Sequence, residues 1–220
     1  MNKAIFIDFY GTVVYEDGEV IEIVTKEIFE SGMAKNTAEI DTYWWKEFQN
    51  AFLNSYGENF QTQRILERQS LEKTIQHFQS TADAEKLSNM MFDYWTKPPI
   101  FEESKEFFEN CPVPIYIVSN IDRADILKAI EYHGLEPAGV FTSEDAKSYK
   151  PRKELFHLAL KQTGLRPNEV VHIGDSLSSD VQGASNVGID AIWVNRSGRE
   201  VPEGVVAVGN LKEVLDIGLL

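Results

Sequence analysis

Six short apolar runs punctuate the chain: Ala4–Ile7, Pro114–Val118, Val140–Thr142, Val170–Ile173, Ala191–Val194 and Val205–Val208. Each is brief, mostly apolar on both faces, and followed by a polar or glycine-rich turn. Parallel strands covered by helices on both sides read this way. Amphipathic stretches separate the runs from Pro98 onward. Strands alternating with helices predict an α/β fold, a doubly wound, Rossmann-like parallel sheet. In such sheets ligands collect beyond the carboxyl ends of the strands, so the residues after each run are the ones to inspect.

Between Tyr15 and Lys97 the pattern is helical and aromatic instead. Asn36 with Glu39 resembles a capping box. Trp44, Phe48, Phe52, Tyr56 and Phe60 recur every fourth residue, near one helical stripe. The stripe is expected to be the packing seam of a helical bundle; the alternative is an aromatic wall facing a substrate such as a nucleobase. Ahead of it, Asp17-Gly18 lies between Val13-Val14-Tyr15 and Val20-Ile21, a hairpin signal that predicts a small flap. Pro98-Pro99 marks the return to the sheet, because proline ends helices. The chain thus divides into a core, residues 1–14 and 98–220, and a helical cap inserted at 15–97.

Composition narrows the partners. The chain has 220 residues, 43% hydrophobic and 25% charged, ordinary for a globular protein. Its formal net charge of -14 repels phosphate backbones and argues against nucleic-acid polymers. A small anion is still allowed, because a bound cation can invert the field inside a pocket. The one cysteine, Cys111, reads as a half-buried small hydrophobe. The apolar start is cut by Asp8 and lacks a cleavage-site pattern, and no apolar stretch has the ~20 residues a membrane span needs. A cytoplasmic location is expected. None of His77, His133, His157 and His172 forms a metal-ligand pair by spacing. His172 lies within a strand run and reads as a core histidine.

Four strand-end segments carry chemistry-bearing residues: Asp8-Phe9-Tyr10-Gly11-Thr12, Ser119-Asn120, Lys150-Pro151, and Gly174-Asp175 through Asp180. Each alone has an ordinary structural role as a helix cap, turn or surface lysine. Pro151 reads as the opening of a helix, near its first position. Together they make coherent chemistry. A carboxylate can attack phosphorus or carbon and form a covalent intermediate. Thr12 or Ser119 can donate hydrogen bonds to an anionic oxygen, and Lys150 can balance the nucleophile and transition state. Asp8 and Asp175 supply hard oxygen ligands for Mg²⁺, which would let two anions approach. Asp8, Asp175 and Asp180 crowded in one crevice cannot all stay ionised without a cation.

The set D-F-Y-G-T-V at 8–13, S-N at 119–120, K-P at 150–151 and G-D-S-x-x-x-D at 174–180 resembles the haloacid dehalogenase-like hydrolase superfamily, and the helical insertion resembles the first cap class of that family. The resemblance implies a Mg²⁺-dependent hydrolase, with Asp8 as nucleophile and Thr12, Ser119 and Asn120 around the transferred group. Lys150 would stabilise charge. Asp8, Asp175 and the main-chain carbonyl of Tyr10 would hold the metal, and Asp180 would partner the lysine or the metal's waters.

One position departs from the phosphatases of that family, which usually carry a second aspartate two residues after the nucleophile as general acid and base. Here it is Tyr10, whose phenol has a pKa near 10 and is a poor base. Slow turnover of a small phosphorylated metabolite or nucleotide is therefore the expectation. The 2-haloacid dehalogenases have tyrosine there, since a halide leaves without a proton. Against that alternative stand Asp175 in place of their serine, Leu177 in place of their asparagine and Phe156 in place of their tyrosine. The insertion also has no arginine before Arg64. A homologue that binds a phosphorylated ligand or protein without turnover is the remaining alternative.

Overall fold

The computed structural model describes residues 2–16 and 18–217. Strand β1 (Ala4–Ile7) leads into four helices, α1 (Glu19–Ser31), α2 (Thr37–Asn54), α3 (Gln63–His77) and α4 (Ala84–Thr96). There follow α5 (Ser104–Asn110), β2 (Ile115–Ser119), α6 (Arg123–His133), β3 (Gly139–Thr142), α7 (Ser143–Ala146), α8 (Lys153–Thr163) and β4 (Val170–Gly174). A wide, π-type turn at Leu177–Gln182 runs into α9 (Gly183–Ser185), and β5 (Asp190–Val194), β6 (Val206–Val208) and α10 (Leu211–Asp216) complete the order.

Every apolar run of the sequence is a strand. The six form one parallel sheet in the order β3-β2-β1-β4-β5-β6. Alternation along β1 sends Ile5 and Ile7 into one core and Ala4 and Phe6 into another. Burial on both faces is why these strands read as continuous apolar runs. Strands β2 and β3 are laid down on one side of β1 and β4, β5 and β6 on the other. The order therefore reverses between β1 and β4, where Ile7 pairs with Ile173. The crevice beyond that pair is the topological switch point, and Asp8 and Asp175 stand on its two edges.

The helical segment departs from expectation in three places. Val20 and Ile21 lie in α1, not in the second arm of a hairpin; Asp17 of that turn lies outside the described residues. Buried Val20, Val24 and Ile28 recur at helical spacing, and that period outweighs the Asp-Gly signal. The cap at Asn36 forms as read, its side chain accepting from Glu39 N, but the Glu39 carboxylate turns back to Lys35 N. The aromatic stripe breaks, because α2 ends at Asn54 and leaves Tyr56 and Phe60 beyond it. Only Ile40 and Trp44 of α2 are buried. Trp44, Phe48 and Phe52 all line a cavity shared with Asp8, and only Trp44 is also part of the buried core, so the packing-seam expectation holds for Trp44 alone.

Pro151 is also displaced: α8 starts at Lys153 with Arg152 as its cap, and Pro151 precedes it. A turn closed by Arg152 N to Tyr149 O at 3.0 Å occupies that place. Cys111 is half-buried, and burial pushes its thiol pKa up, as suits an inert position. No helix among the described residues is long and apolar enough to cross a membrane.

Candidate active site

Asp8 is delivered by the end of β1, its backbone N–H still bonded to Ile173 O at 2.8 Å. The chain then turns tightly, with Val13 N bonded to Phe9 O at 2.8 Å and Gly11 N to Val14 O at 2.7 Å. Gly11 has φ +85, and a Cβ there would lie 2.5 Å from Asp175 Oδ2. Only glycine lets this turn press against the second carboxylate. Thr12, fully buried, directs Oγ1 at Asp175 Oδ1 over 3.4 Å.

Lys150 is the centre of the site. Its buried Nζ donates to Asp8 Oδ1 at 2.7 Å and to Asp180 Oδ1 at 2.6 Å. Asn120 fixes that lysine by its backbone: Oδ1 accepts from Lys150 N at 2.7 Å, and Nδ2 donates to Lys150 O at 3.2 Å. The Asn120 amide is thereby turned to holding Lys150, where the sequence suggested a contact to the transferred group. Ser119 is buried at the end of β2 and lines the cavity.

Asp180 is held from three sides. Oδ1 takes Lys150 and His172 Nε2 (2.9 Å), and Oδ2 accepts Ser176 N at 3.0 Å. His172 and Gly174 share one face of β4 by the strand's period of two, and a Cβ on Gly174 would collide with the Asp180 carboxyl. His172 is thus a core histidine, as expected, with the added task of orienting Asp180. Since an ionised carboxylate only accepts, Nε2 carries the proton.

The electrostatics follow from crowding. Burial, together with repulsion from Asp180, raises Asp8 to about 6 despite Lys150. Burial and then the charges of Asp8 and Asp180 raise Asp175 to about 7. Burial opposes ionisation of Asp180 too, but Lys150 and His172 hold it well below the usual carboxylate range. Burial likewise works against the charge on Lys150, yet Asp180 and Asp8 keep its pKa raised.

One oxygen from each of Asp8, Asp175 and Asp180 lies within 4.8 Å of the others. The two Asp180 oxygens already serve Lys150, His172 and Ser176, which leaves Asp8 and Asp175 as the pair suited to a hard divalent cation. Burial and mutual repulsion raise both pKa values even with Lys150 on Asp8, so the pair fits a divalent cation such as Mg²⁺. A stability test follows. For Asp8 and Asp175 the folded pKa lies above the ordinary value near 4, so their contribution is complete below that pH and is lost as pH rises through 6 to 7. Asp180 acts oppositely, its contribution being lost as pH falls. Mg²⁺ should therefore raise Tm by more at about pH 8 than at about pH 5.5. Thermal unfolding with and without the ion checks this; equal increments, or none, contradict it.

The Tyr10 side chain is bound to the helical segment. Its hydroxyl donates to Trp95 O of α4 at 2.5 Å. Burial, then the nearby charges of Asp125 and Asp8, drives its pKa well above that of a free phenol. Arg64 is committed elsewhere as well: its guanidinium is bidentate on Asp125 at 2.7 and 2.5 Å. The backbone N–H groups of Gln63 and Arg64 are capped by Asp122 at 2.7 and 3.0 Å. This latch between α3 and α6 was not read from the sequence; its signal was the Asp122–Asp125 pair just after Ser119-Asn120.

A profile for haloacid dehalogenase-like hydrolases matches residues 2–188, most of the chain. The chain belongs to this family. The L-2-haloacid dehalogenase of Xanthobacter autotrophicus superposes over 100% of both chains with a TM-score of 0.77 at 19% identity, which speaks to fold alone. Among curated relatives, mouse N-acylneuraminate-9-phosphatase is 27% identical over 144 residues, 58% of this hydrolase and 56% of that protein. Pyrimidine 5'-nucleotidase of Escherichia coli (strain K12) is 40% identical over 65 residues, 29% of this chain and 28% of that one. The hydrolase thus spans little more than half the length of the first of these relatives and less of the second.

Proposed function

We propose that this hydrolase is a Mg²⁺-dependent phosphatase that cleaves a small phosphomonoester through an aspartyl-phosphate on Asp8. The observation that carries the reading is Asp175, a second carboxylate held against the nucleophile by the Gly11 turn and raised in pKa beside it. Two carboxylates so placed suit a bound cation, and the curated relatives reported above are named as acting on phosphorylated compounds. The cap at 15–97 and the core at 1–14 and 98–220 would enclose the substrate between them.

Asp8, Asp175 and the Tyr10 carbonyl would hold the ion. When bound, it supplies the positive charge that lets an anionic nucleophile approach an anionic phosphate. Lys150 keeps Asp8 ionised and oriented. An Asp8 carboxylate oxygen forms a bond to phosphorus as the ester P–O bond breaks. Thr12 and Ser119 would donate to the phosphoryl oxygens. With Tyr10 bound to Trp95 O, the leaving alkoxide takes its proton from water, and water then attacks phosphorus to free Asp8. General acid–base help is typically worth about 10²–10⁴ in rate, so turnover is slow for poor leaving groups.

A second reading, 2-haloacid dehalogenation, is favoured by tyrosine at position 10 and disfavoured by the commitment of Arg64 to Asp125. Single turnover in H₂¹⁸O separates the two. On a phosphomonoester, water attacks phosphorus and Asp8 keeps its own oxygens, the expected result. On a haloacid, water attacks the ester carbonyl carbon and leaves ¹⁸O in Asp8. Label in the Asp8 peptide, read by mass spectrometry, would overturn the phosphatase assignment.

A further inference from the structure

Trp44 is 5% exposed, and its indole N–H is buried yet meets no hydrogen-bond acceptor among the described residues. A buried donor without a partner is costly and calls for an explanation. Its place supplies one: Trp44 lines the same cavity of about 880 Å³ that contains Asp8, Lys150 and Asp175. That volume is within the range of small-molecule sites.

The rest of the helical wall defines what fits there. Trp45 and Phe48 of α2 and Trp95 of α4 add aromatic surface to the lining. Glu16, Asp41 and Glu67 add carboxylates, while the lining cations are Lys150, bound to Asp8 and Asp180, and Arg199, which lies over the Trp193 ring and donates to Asp175 O. Away from Lys150 such a wall repels a second anionic group. It welcomes a flat ring that stacks on aromatics and turns N–H edges toward carboxylates. The orphan indole N–H asks that ring for an oxygen.

Resting on the phosphatase reading, we infer that Trp44 is a specificity residue, and that the substrate is a phosphomonoester whose leaving group carries a flat, uncharged heterocycle with a carbonyl oxygen. That oxygen accepts from Trp44 Nε1. Phosphomonoesters bearing a carboxylate are rejected by the acidic wall. Helices α2, α3 and α4 would thus hold the recognition elements, while the strand ends hold the reacting atoms.

Binding to the Asp8→Asn protein with Mg²⁺, read by titration calorimetry, tests this without turnover. Uridine 5′-monophosphate should bind about tenfold more tightly than phenyl phosphate, which has a ring but no acceptor, and phosphoserine should bind most weakly. Adding Trp44→Phe keeps an aromatic ring and removes the N–H, and the uridine advantage over phenyl phosphate should disappear. The inference is overturned if the unsubstituted cavity binds phenyl phosphate or phosphoserine at least as tightly as the nucleotide, an outcome independent of whether the Trp44 variant folds. It is equally overturned if the advantage survives Trp44→Phe. Failure of the phosphatase reading would appear in turnover and labelling and not in these ratios.

Discussion

Asp8→Asn should lower kcat for Mg²⁺-supported hydrolysis of a phosphomonoester by at least about 10⁴-fold, as expected when a covalent nucleophile is removed. The amide cannot form the acyl phosphate, and it replaces the anionic partner of Lys150 Nζ at 2.7 Å with a neutral one. Folding should be little affected. Asp8 is itself destabilised as an anion, with burial raising it to about 6, so a neutral isostere relieves crowding with Asp175. The expected pattern is a protein of equal or higher Tm with no turnover. A variant that retains more than about a hundredth of wild-type kcat would remove Asp8 from the chemistry. Steady-state assay and thermal unfolding on the same preparation read both.

Lys150→Met should damage fold and activity together. The ammonium is buried, and it bridges Asp8 and Asp180, the latter 2.6 Å away. Breaking a buried ion pair from one side costs about 3–5 kcal/mol, because charges remain uncompensated. Lys150 holds the Asp8 pKa down, so in the variant Asp8 takes up its proton above about 6; the loss of Tm should be largest above neutral pH and shrink as pH falls toward about 6. Activity should fall by about 10³-fold, the scale of losing a charge-stabilising donor. A Lys150→Met protein as stable as wild type at neutral pH would mean that Asp8 and Asp180 are compensated by something other than this lysine.

The sheet was legible because parallel strands buried on both faces leave apolar runs too short for helices. Most of the candidate site residues were legible because they follow such a run. Asp8, Ser119 and Asp175 stand where β1, β2 and β4 end. The orientation of side chains from one helix to another was not. Trp44, Phe48 and Phe52 share one spacing and all line the cavity, yet only Trp44 is also buried in the core, a distinction set by how α1 and α3 pack on α2. Asn120 showed its residue type but not its partner, because the backbone of Lys150 lies thirty residues away in sequence. The Arg64–Asp125 pair spans 61 positions and carries no periodic signal. The hairpin expectation failed for a local reason: a helix period beginning at Glu19 overrode a turn dipeptide.

The covalent role of Asp8 beside a cation-ready Asp175 is tested most directly by trapping. Borohydride added during turnover of a phosphomonoester reduces an acyl phosphate to an alcohol and releases phosphate. The account predicts homoserine at position 8, found by peptide mass spectrometry and formed only when Mg²⁺ and substrate are both present. Continued turnover with an unmodified aspartate at position 8, or trapping that proceeds equally without the ion, would contradict it.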